Sequence, residues 1–545
     1  MNPLLIGMNA KFIHPNNALR LLKANASSRV DIKEFTIKDA PEDILSYITT
    51  SRPLFVGFSC YIWNIEILIP IIRTLKETTD IPIVLGGPEV SYDAKHFIET
   101  LDVDVVVKGE GEAVIDAIIA YFKHGDTALE NMPGIQSRTL DTPIKEISDL
   151  STLKSPHIIN IDDPAHKIHY IESSRGCPYR CTYCLSSLEK TVRFFPVKAV
   201  TDDIIHCQRQ GAKTFKFLDR TFNANPRALD IIDFIIRNHQ PNMSFQFEIT
   251  GEILNQEIVD YIHKHAPKHL FRFEIGIQST NAETNRLVER LQDNERLKRT
   301  IRNIIDHDVI DLHLDLIAGL PKEDLPRFKQ TFNEIYALGA KELQLGFLKM
   351  LRGTKIRNQA DLHDYEYEKT APYEIKKNNV LSERDIERIK KVETVLNLFH
   401  NKNYFGDTFF NIIRTLSDDY FTFFECLYQD YVKNHPLKGY QLETLYAFLT
   451  SHLQTRYHLE ERQTDPFKYT YLKRAKVKPK TYFDRIEDRR LKQKIFETIN
   501  FKTELSLNTL YKHSIITEYQ EGYLVAHYQN QKANLFILNS GDLSQ

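Results

Sequence analysis

A chain of 545 residues is too long for one hydrophobic core, so three or four domains are expected. Hydrophobic residues at 42% and charged residues at 26% describe a soluble globular protein. A net charge of −2 excludes an overall field that would draw the chain to nucleic acid or a membrane surface. The amino terminus, Met1-Asn2-Pro3-Leu4-Leu5-Ile6-Gly7, has a short apolar run and no basic leader, and reads as a first strand rather than a signal peptide. The best candidate for a membrane span, Ile65 to Ile72, contains Glu66 and stops at Arg73. Half of the six cysteines fall within eight residues, which fits a reducing compartment such as the cytoplasm, where clustered thiols point to metal.

In residues 1–130, short apolar runs alternate with longer amphipathic segments: Leu4 to Met8, Ile32 to Ile37, Leu54 to Ser59, Pro82 to Gly86 and Val103 to Val107. Buried strands alternating with helices predict a doubly wound, flavodoxin-like parallel sheet. Ligands of such sheets bind at the carboxyl ends of the strands. Those ends carry Asn9, Gly57-Phe58-Ser59-Cys60, Gly86-Gly87-Pro88-Glu89 and Gly109-Glu110-Gly111-Glu112. From the residues alone, a generic nucleotide or receiver-like domain stays open, with the glycines serving tight turns. The set and its order resemble the cobalamin-binding domain that precedes many radical S-adenosylmethionine (SAM) enzymes. That resemblance implies cobalamin contacts at Asn9, Ser59, Gly86, Gly87, Glu89, Gly109, Glu110 and Gly111. The DxHxxG motif that supplies a cobalt-ligating histidine in many cobalamin proteins is missing, since the chain reads Asn9-Ala10-Lys11-Phe12-Ile13-His14-Pro15. His14 is expected on a surface loop, and cobalamin without a protein histidine on its lower face.

Residues 131–165, rich in Pro, Ser, Thr and Asp, read as a linker. Six strand-like runs with helix-length segments between them then occupy 166–356: Ile168 to Glu172, Thr214 to Leu218, Ser244 to Ile249, Leu270 to Ile277, Leu312 to Ile317 and Glu342 to Leu348. The alternation predicts a partial (β/α)6 barrel whose active residues lie at the strands' carboxyl ends.

After the first of these runs comes Ser173-Ser174-Arg175-Gly176-Cys177-Pro178-Tyr179-Arg180-Cys181-Thr182-Tyr183-Cys184. A cubane iron–sulfur cluster takes four ligands. This loop offers Cys177, Cys181 and Cys184, while Cys60, Cys207 and Cys426 are scattered, so one iron is left for a substrate or cofactor. A zinc knuckle is the alternative, although zinc sites favour two separated pairs of ligands. The CxxxCxxC loop resembles that of the radical SAM superfamily, in which the open iron binds the amino and carboxylate groups of SAM. Matching the other positions in order implies that Asp219 lies near the SAM ammonium and that Glu248 accepts from the ribose hydroxyls. Gln278 closes the fourth strand, Arg290 holds the SAM carboxylate, and Asp315 is a second ribose or adenine contact. A guanidinium suits that carboxylate because it can bind both oxygens at once. His263, His265 and His269 are given no ligand role, since Lys264, Pro267 and Lys268 mark a solvated helix end.

Residues 357–545 read as mainly helical, with Ser382 to Phe399 at helical spacing behind a Ser382 cap. The basic run Lys473 to Lys480, flanked by Tyr469, Tyr471, Tyr482 and Phe483, could track nucleic acid. A solvated loop is favoured, because Asp484, Glu487 and Asp488 follow at once. This third of the chain resembles a carboxy-terminal domain of unknown function found in some cobalamin-type radical SAM proteins. Together the resemblances imply a [4Fe–4S] cluster, SAM and cobalamin, and a 5′-deoxyadenosyl radical that leads to methylation of an unactivated carbon. They also imply an electron donor such as flavodoxin or ferredoxin. An oxidative cyclase like the anaerobic magnesium-protoporphyrin monomethyl ester cyclase shares both domains and is the alternative enzyme. A non-catalytic cobalamin sensor is the alternative outside catalysis. A methylthiotransferase is disfavoured, since only Cys60 precedes the loop.

Overall fold

The computed structural model describes residues 1–125, 127–189, 191–476, 478, 485–503 and 505–543. It divides into two compact units, Met1–Thr331 with Leu345–Ile386, and Phe332–Gln344 with Glu387–Gln545.

The first unit opens with a six-stranded sheet in the order Asp31–Thr36, Leu4–Asn9, Val56–Ser59, Ile83–Gly86, Val105–Val107, Ile135–Gln136. The first five strands pair in parallel. Leu4–Asn9 and Val56–Ser59 are buried at every position, as expected for central strands covered by helices on both faces. Separate apolar cores occupy the two faces, one around Ile6, Phe58 and Leu85, the other around Leu5, Phe55 and Val84. The sixth strand pairs antiparallel with Val105–Val107 and comes from the stretch expected to be linker. The strand order reverses between Leu4–Asn9 and Val56–Ser59, which places a ligand crevice at Asn9 and Ser59. Asn16 holds that point together: its Oδ1 caps the helix Asn17–Asn25 by accepting from Leu19 N, and its Nδ2 donates to Ser59 Oγ at 2.8 Å.

A second six-stranded sheet runs in sequence order, Ile168–Ile171, Thr214–Phe217, Ser244–Ile249, Phe271–Gln278, Asp311–Ala318, Glu342–Phe347, and is the expected partial barrel. Burial alternates strictly along Ser244–Ile249, Phe271–Gln278 and Asp311–Ala318. The fully buried side is aromatic: Phe215 stacks on Phe245 at 4.5 Å, and Phe247 lies 4.4 Å from both Phe217 and Phe222. The other side is polar, with Lys216 donating to Glu274 at 2.8 Å and His313 meeting Asp315 at 3.0 Å.

The second unit is mainly helical, as expected, and the helix Glu383–Leu396, whose first turn belongs to the first unit, is capped by Ser382 Oγ accepting from Asp385 N. It also contains an antiparallel sheet that the helical reading missed, Ser514–Tyr519, Gly522–Gln529 and Lys532–Asn539. The last hairpin turns on Asn530-Gln531, both at positive φ, so a two-residue turn forms without the glycine that usually announces it. Of the basic run, Lys473 and Arg474 end the helix Pro466–Arg474, while Val477, Pro479, Lys480, Tyr482, Phe483 and Asp484 lie outside the described residues.

Phe247 is fully buried beneath the strands that carry the site. Phe247→Ala is expected to destabilise the first unit by about 3–5 kcal/mol, read as a lower denaturant midpoint of that unit's transition.

Candidate functional site

The cysteine loop is built on two pinned ends. Before it, Ser174–Arg175 pairs antiparallel with Arg193–Phe194. Gly176 takes φ +89°, and a Cβ there would lie 2.1 Å from the Thr191 carbonyl oxygen, so no other residue fits this turn. Within the loop, Arg180 donates to the carbonyls of Cys177, Tyr179 and Glu189 at 3.0–3.2 Å. Cys181 is buried, Cys177 and Cys184 are half-buried, and all three are free thiols. Three thiols from one wrapped loop fit a cluster with one iron left open. Burial pushes the Cys181 thiol up, and the Arg290 guanidinium, with Nη1 4.0 Å from its sulfur, opposes that shift.

Asp219 is fully buried under the loop. Ser173 donates to it through N (2.9 Å) and Oγ (2.5 Å), and Ser174 Oγ adds a bond of 2.6 Å. Burial pushes its carboxyl up to about 6, against those bonds. The expected contact with the SAM ammonium is therefore not what this carboxylate offers: both of its oxygens fasten the start of the cysteine loop.

Of the other expected SAM positions, Arg290 and Gln278 both lie against Gly276 at the end of the fourth strand. Arg290 donates through Nη2 to the Gly276 carbonyl and through Nε to Gln292 (2.8 Å). Beside it Gln278 sits at φ +67° on a bulge, its Oε1 buried without a partner, and a Cβ on Gly276 would lie 2.3 Å from Gln278 Nε2. An orphaned acceptor next to a guanidinium and a missing side chain fits a polar ligand with both donors and an anion. Glu248 lies 3.6 Å from Arg220, and Asp315 accepts from or meets His313 at the far side of the polar face.

A cavity of about 800 Å³ joins the two sheets' carboxyl ends. Its wall includes Asn9, Ser59, Gly86, Gly87, Gly109, Glu110 and Gly111 from the first sheet, and Tyr170, Arg175, Gly176, Leu218 and Arg220 from the barrel. Gly87, at φ +112°, brings backbone to the wall where a Cβ would strike the Cys60 carbonyl at 2.5 Å. Deeper in, Leu5, Val84, Ile115 and Ile118 make an apolar slot between sheet and helices. Near the mouth Tyr61 and Trp63 stack at 4.3 Å. A large apolar slot that ends in glycine backbone and a few polar groups fits cobalamin.

Three expected residues sit differently. Glu89 turns off the cavity and is buried, accepting from Tyr373 Oη and from Arg352 Nε at 3.2 Å. Asn9 donates to Glu34 at 2.6 Å while lining the wall. His14 is not a free surface residue, because its Nδ1 lies 2.6 Å from Tyr170 Oη and the ring lines the cavity.

Sequence reasoning missed the charges that close the cavity. Arg175 reaches Glu110 (2.9 Å), Glu112 (2.8 Å) and Glu172 (3.1 Å), and Arg193 also meets Glu110 at 2.9 Å. Burial works against the Glu110 charge, but its bonds from Arg193, the Ile147 amide and Arg175 hold its carboxyl below the usual range. The available signal was the Gly-Glu-Gly-Glu run facing an arginine directly ahead of the cysteines.

Residues 171–335 match the radical SAM superfamily, residues 3–119 the B12 binding domain, and residues 361–534 a protein family of unknown function, DUF4080. Three matched domains thus follow one another along the chain, the middle one of the radical SAM type. The B12 binding match lies ahead of the barrel and the DUF4080 match behind it, and the first two matches imply a [4Fe–4S] cluster, SAM and cobalamin. It is 24% identical over 312 residues to the cobalamin-dependent radical SAM methyltransferase TokK of Streptomyces tokunonensis, covering 53% of this chain and 46% of TokK. It is 25% identical over 257 residues to the anaerobic magnesium-protoporphyrin IX monomethyl ester cyclase of Synechocystis sp., covering 42% of this chain and 48% of the cyclase. The cobalamin-dependent S-adenosylmethionine radical enzyme OxsB, solved with aqua-cobalamin, shares the fold at a TM-score of 0.61 and 14% identity, over 86% of this chain and 79% of OxsB. The chain spans about half the length of the first curated relatives it matches. Among the described residues no helix is long and apolar enough to cross a membrane.

Cys177→Ala should abolish cluster assembly, read as loss of iron and of the cluster's visible absorbance. Asp219→Ala, which strands the Ser173 and Ser174 donors, should cost about 1–3 kcal/mol and lower iron per chain with all three cysteines intact. Asp219→Asn should retain more iron than Asp219→Ala.

Proposed function

We propose that this chain is a cobalamin-dependent radical SAM methyltransferase that methylates an unactivated carbon of its substrate. The observation that carries the reading is the cavity at the strand ends of the cobalamin-binding domain, whose wall also includes Gly176, Leu185 and Ser186, the residues that flank the three cysteines. Bound together, the cofactors supply reductive cleavage of SAM, a radical able to remove hydrogen from carbon, and a methyl group.

The chain's own residues hold and shield. Cys177, Cys181 and Cys184 hold the cluster through thiolates. Arg290 takes the SAM carboxylate, and its buried position strengthens that ion pair by keeping water away. Glu248, Gln278 and Asp315 accept from or orient the nucleoside. Asp219 acts on the loop that presents the cysteines. Ser59, Asn9, Gly86, Gly87, Gly109, Glu110 and Gly111 line the cobalamin site, Glu110 by carrying the ion pairs at its rim, while Glu89 braces the turn behind Gly87. No histidine is assigned to cobalt, since the DxHxxG motif is missing and the chain reads Asn9-Ala10-Lys11-Phe12-Ile13-His14-Pro15.

A one-electron donor such as flavodoxin or ferredoxin is the expected partner. Six free cysteines and an oxygen-sensitive cluster suit the cytoplasm. Nucleic acid is not favoured as substrate. Similarity to the cyclase supports a second reading, an oxidative cyclisation or rearrangement on the same two domains.

The test is anaerobic turnover of cluster-reconstituted, cobalamin-loaded protein with methyl-labelled SAM, a strong reductant and a cell extract as substrate pool. Methyl transfer predicts that 5′-deoxyadenosine and S-adenosylhomocysteine rise together and label enters a product. Deoxyadenosine alone selects the cyclase reading, and neither product, with both cofactors verified and a substrate-independent SAM cleavage assay also silent, leaves a cobalamin sensor. Arg290→Ala should weaken SAM binding while the cluster's absorbance persists. The Co(II) EPR spectrum should show no histidine nitrogen coupling; coupling that disappears in His14→Ala overturns the assignment for the lower face.

A further inference from the structure

Apart from the cysteine loop, a second set of metal-ligating side chains converges in the first unit. Ligand atoms of His157, His169 and Cys207 all lie within 4.8 Å of one another. They come from three elements: the turn Pro156–Ile158 in the connecting stretch, the first barrel strand Ile168–Ile171, and the helix Val197–Arg209. All three are buried, His169 completely and Cys207 to 1% exposure.

Hydrogen bonding sorts the ring nitrogens. His169 Nε2 lies 2.9 Å from the Pro164 carbonyl, which can only accept, so Nε2 carries the proton and Nδ1 keeps its lone pair. That Nδ1 is buried with no partner. The His157 ring hydrogen-bonds the Tyr170 backbone, and its Nδ1 lies 3.2 Å from Cys207 Sγ. One thiol proton cannot satisfy two imidazole lone pairs, and an unmet buried acceptor costs about 1–3 kcal/mol. Imidazoles whose far nitrogens are held by backbone carbonyls are the arrangement that orients metal ligands.

We propose that His157, His169 and Cys207 form a second metal centre, separate from the cluster, that takes a divalent cation of the zinc type. A tetrahedral zinc ion sets its sulfur and nitrogen ligands about 3.6 Å apart and its nitrogen ligands about 3.4 Å apart; here His157 Nδ1 and Cys207 Sγ are 3.2 Å apart and no two of the ligand atoms are more than 4.8 Å apart. Binding replaces the Cys207 S–H bond with a sulfur–metal bond and releases that proton to solvent, with no change of oxidation state. Asp203, one helical turn before Cys207 and held by Ser155 Oγ at 2.5 Å, is a carboxylate whose charge reaches the thiol. Arg20, whose charge reaches both imidazoles, is already paired with Glu34 at 2.6 Å. The ion's place ties the connecting turn to the first strand and first helix of the barrel, and with three protein ligands its fourth position is left to water.

The test uses the full chain with Cys177, Cys181 and Cys184 replaced by alanine, so that the cluster loop cannot take the probe. Anaerobic Co2+ titration should give one equivalent bound, with the visible bands of tetrahedral cobalt and a thiolate charge-transfer band, and Zn2+ should displace it. Cys207→Ala in that background should remove the charge-transfer band, and His169→Gln should weaken Co2+ binding by about 100-fold or more, each with folding verified by circular dichroism. No tetrahedral bands in the chain that keeps His157, His169 and Cys207, or bands unchanged in both variants, overturns the proposal.

Discussion

Arg175 stands two residues before the first cluster cysteine and reaches three carboxylates, two of which, Glu110 and Glu112, belong to the other sheet. Its side chain is 10% exposed and those of its partners 8–18%, so these charges have left water. Desolvation of such a network is repaid only while every member keeps its partner, and removing one leaves a buried charge at a cost of about 3–5 kcal/mol. The loop after the fifth strand of the first sheet and the loop that carries the cysteines are held together by the same guanidinium.

From that anchor the site organises outward by division of labour. Asp219 and Gly176 shape the base of the cysteine loop, one by accepting three bonds and the other by taking a backbone conformation closed to side chains. Arg290 lies between Cys181 and the Gly276 carbonyl. Glu89 stabilises from behind, with Arg352 and Tyr373. Radical chemistry asks a protein mainly for position and dryness, and most of these contacts serve one or the other.

How far the site could be read in advance differs from residue to residue. The strands of both sheets were legible because their apolar runs are long, buried and bounded by turn residues. The cysteine triplet was legible because its ligands are neighbours in the chain. The carboxy-terminal hairpin was not, since Asn530-Gln531 turns without glycine and the run before it is as aromatic as the helices around it. His263, His265 and His269, close in sequence, take different partners: His263 stacks on His307, His265 packs on Tyr261, and His269 Nδ1 lies 2.9 Å from Asp311. His157, His169 and Cys207, spread over fifty positions, come together instead.

What the sequence by itself determined is everything carried by local order: period-two and helical patterning, glycines at strand ends, and three thiols on one loop. These specify the two α/β domains and the cofactors they imply. Tertiary structure alone decided which charges meet. Asp219 looked like a ligand contact and became a loop fastener, and Glu89 turned from the cavity toward Arg352. His14 found Tyr170 at 156 positions' distance. A carboxylate's role depends on which donors the fold brings within about 3 Å, and that is a property of strand register and domain packing, which no local pattern records.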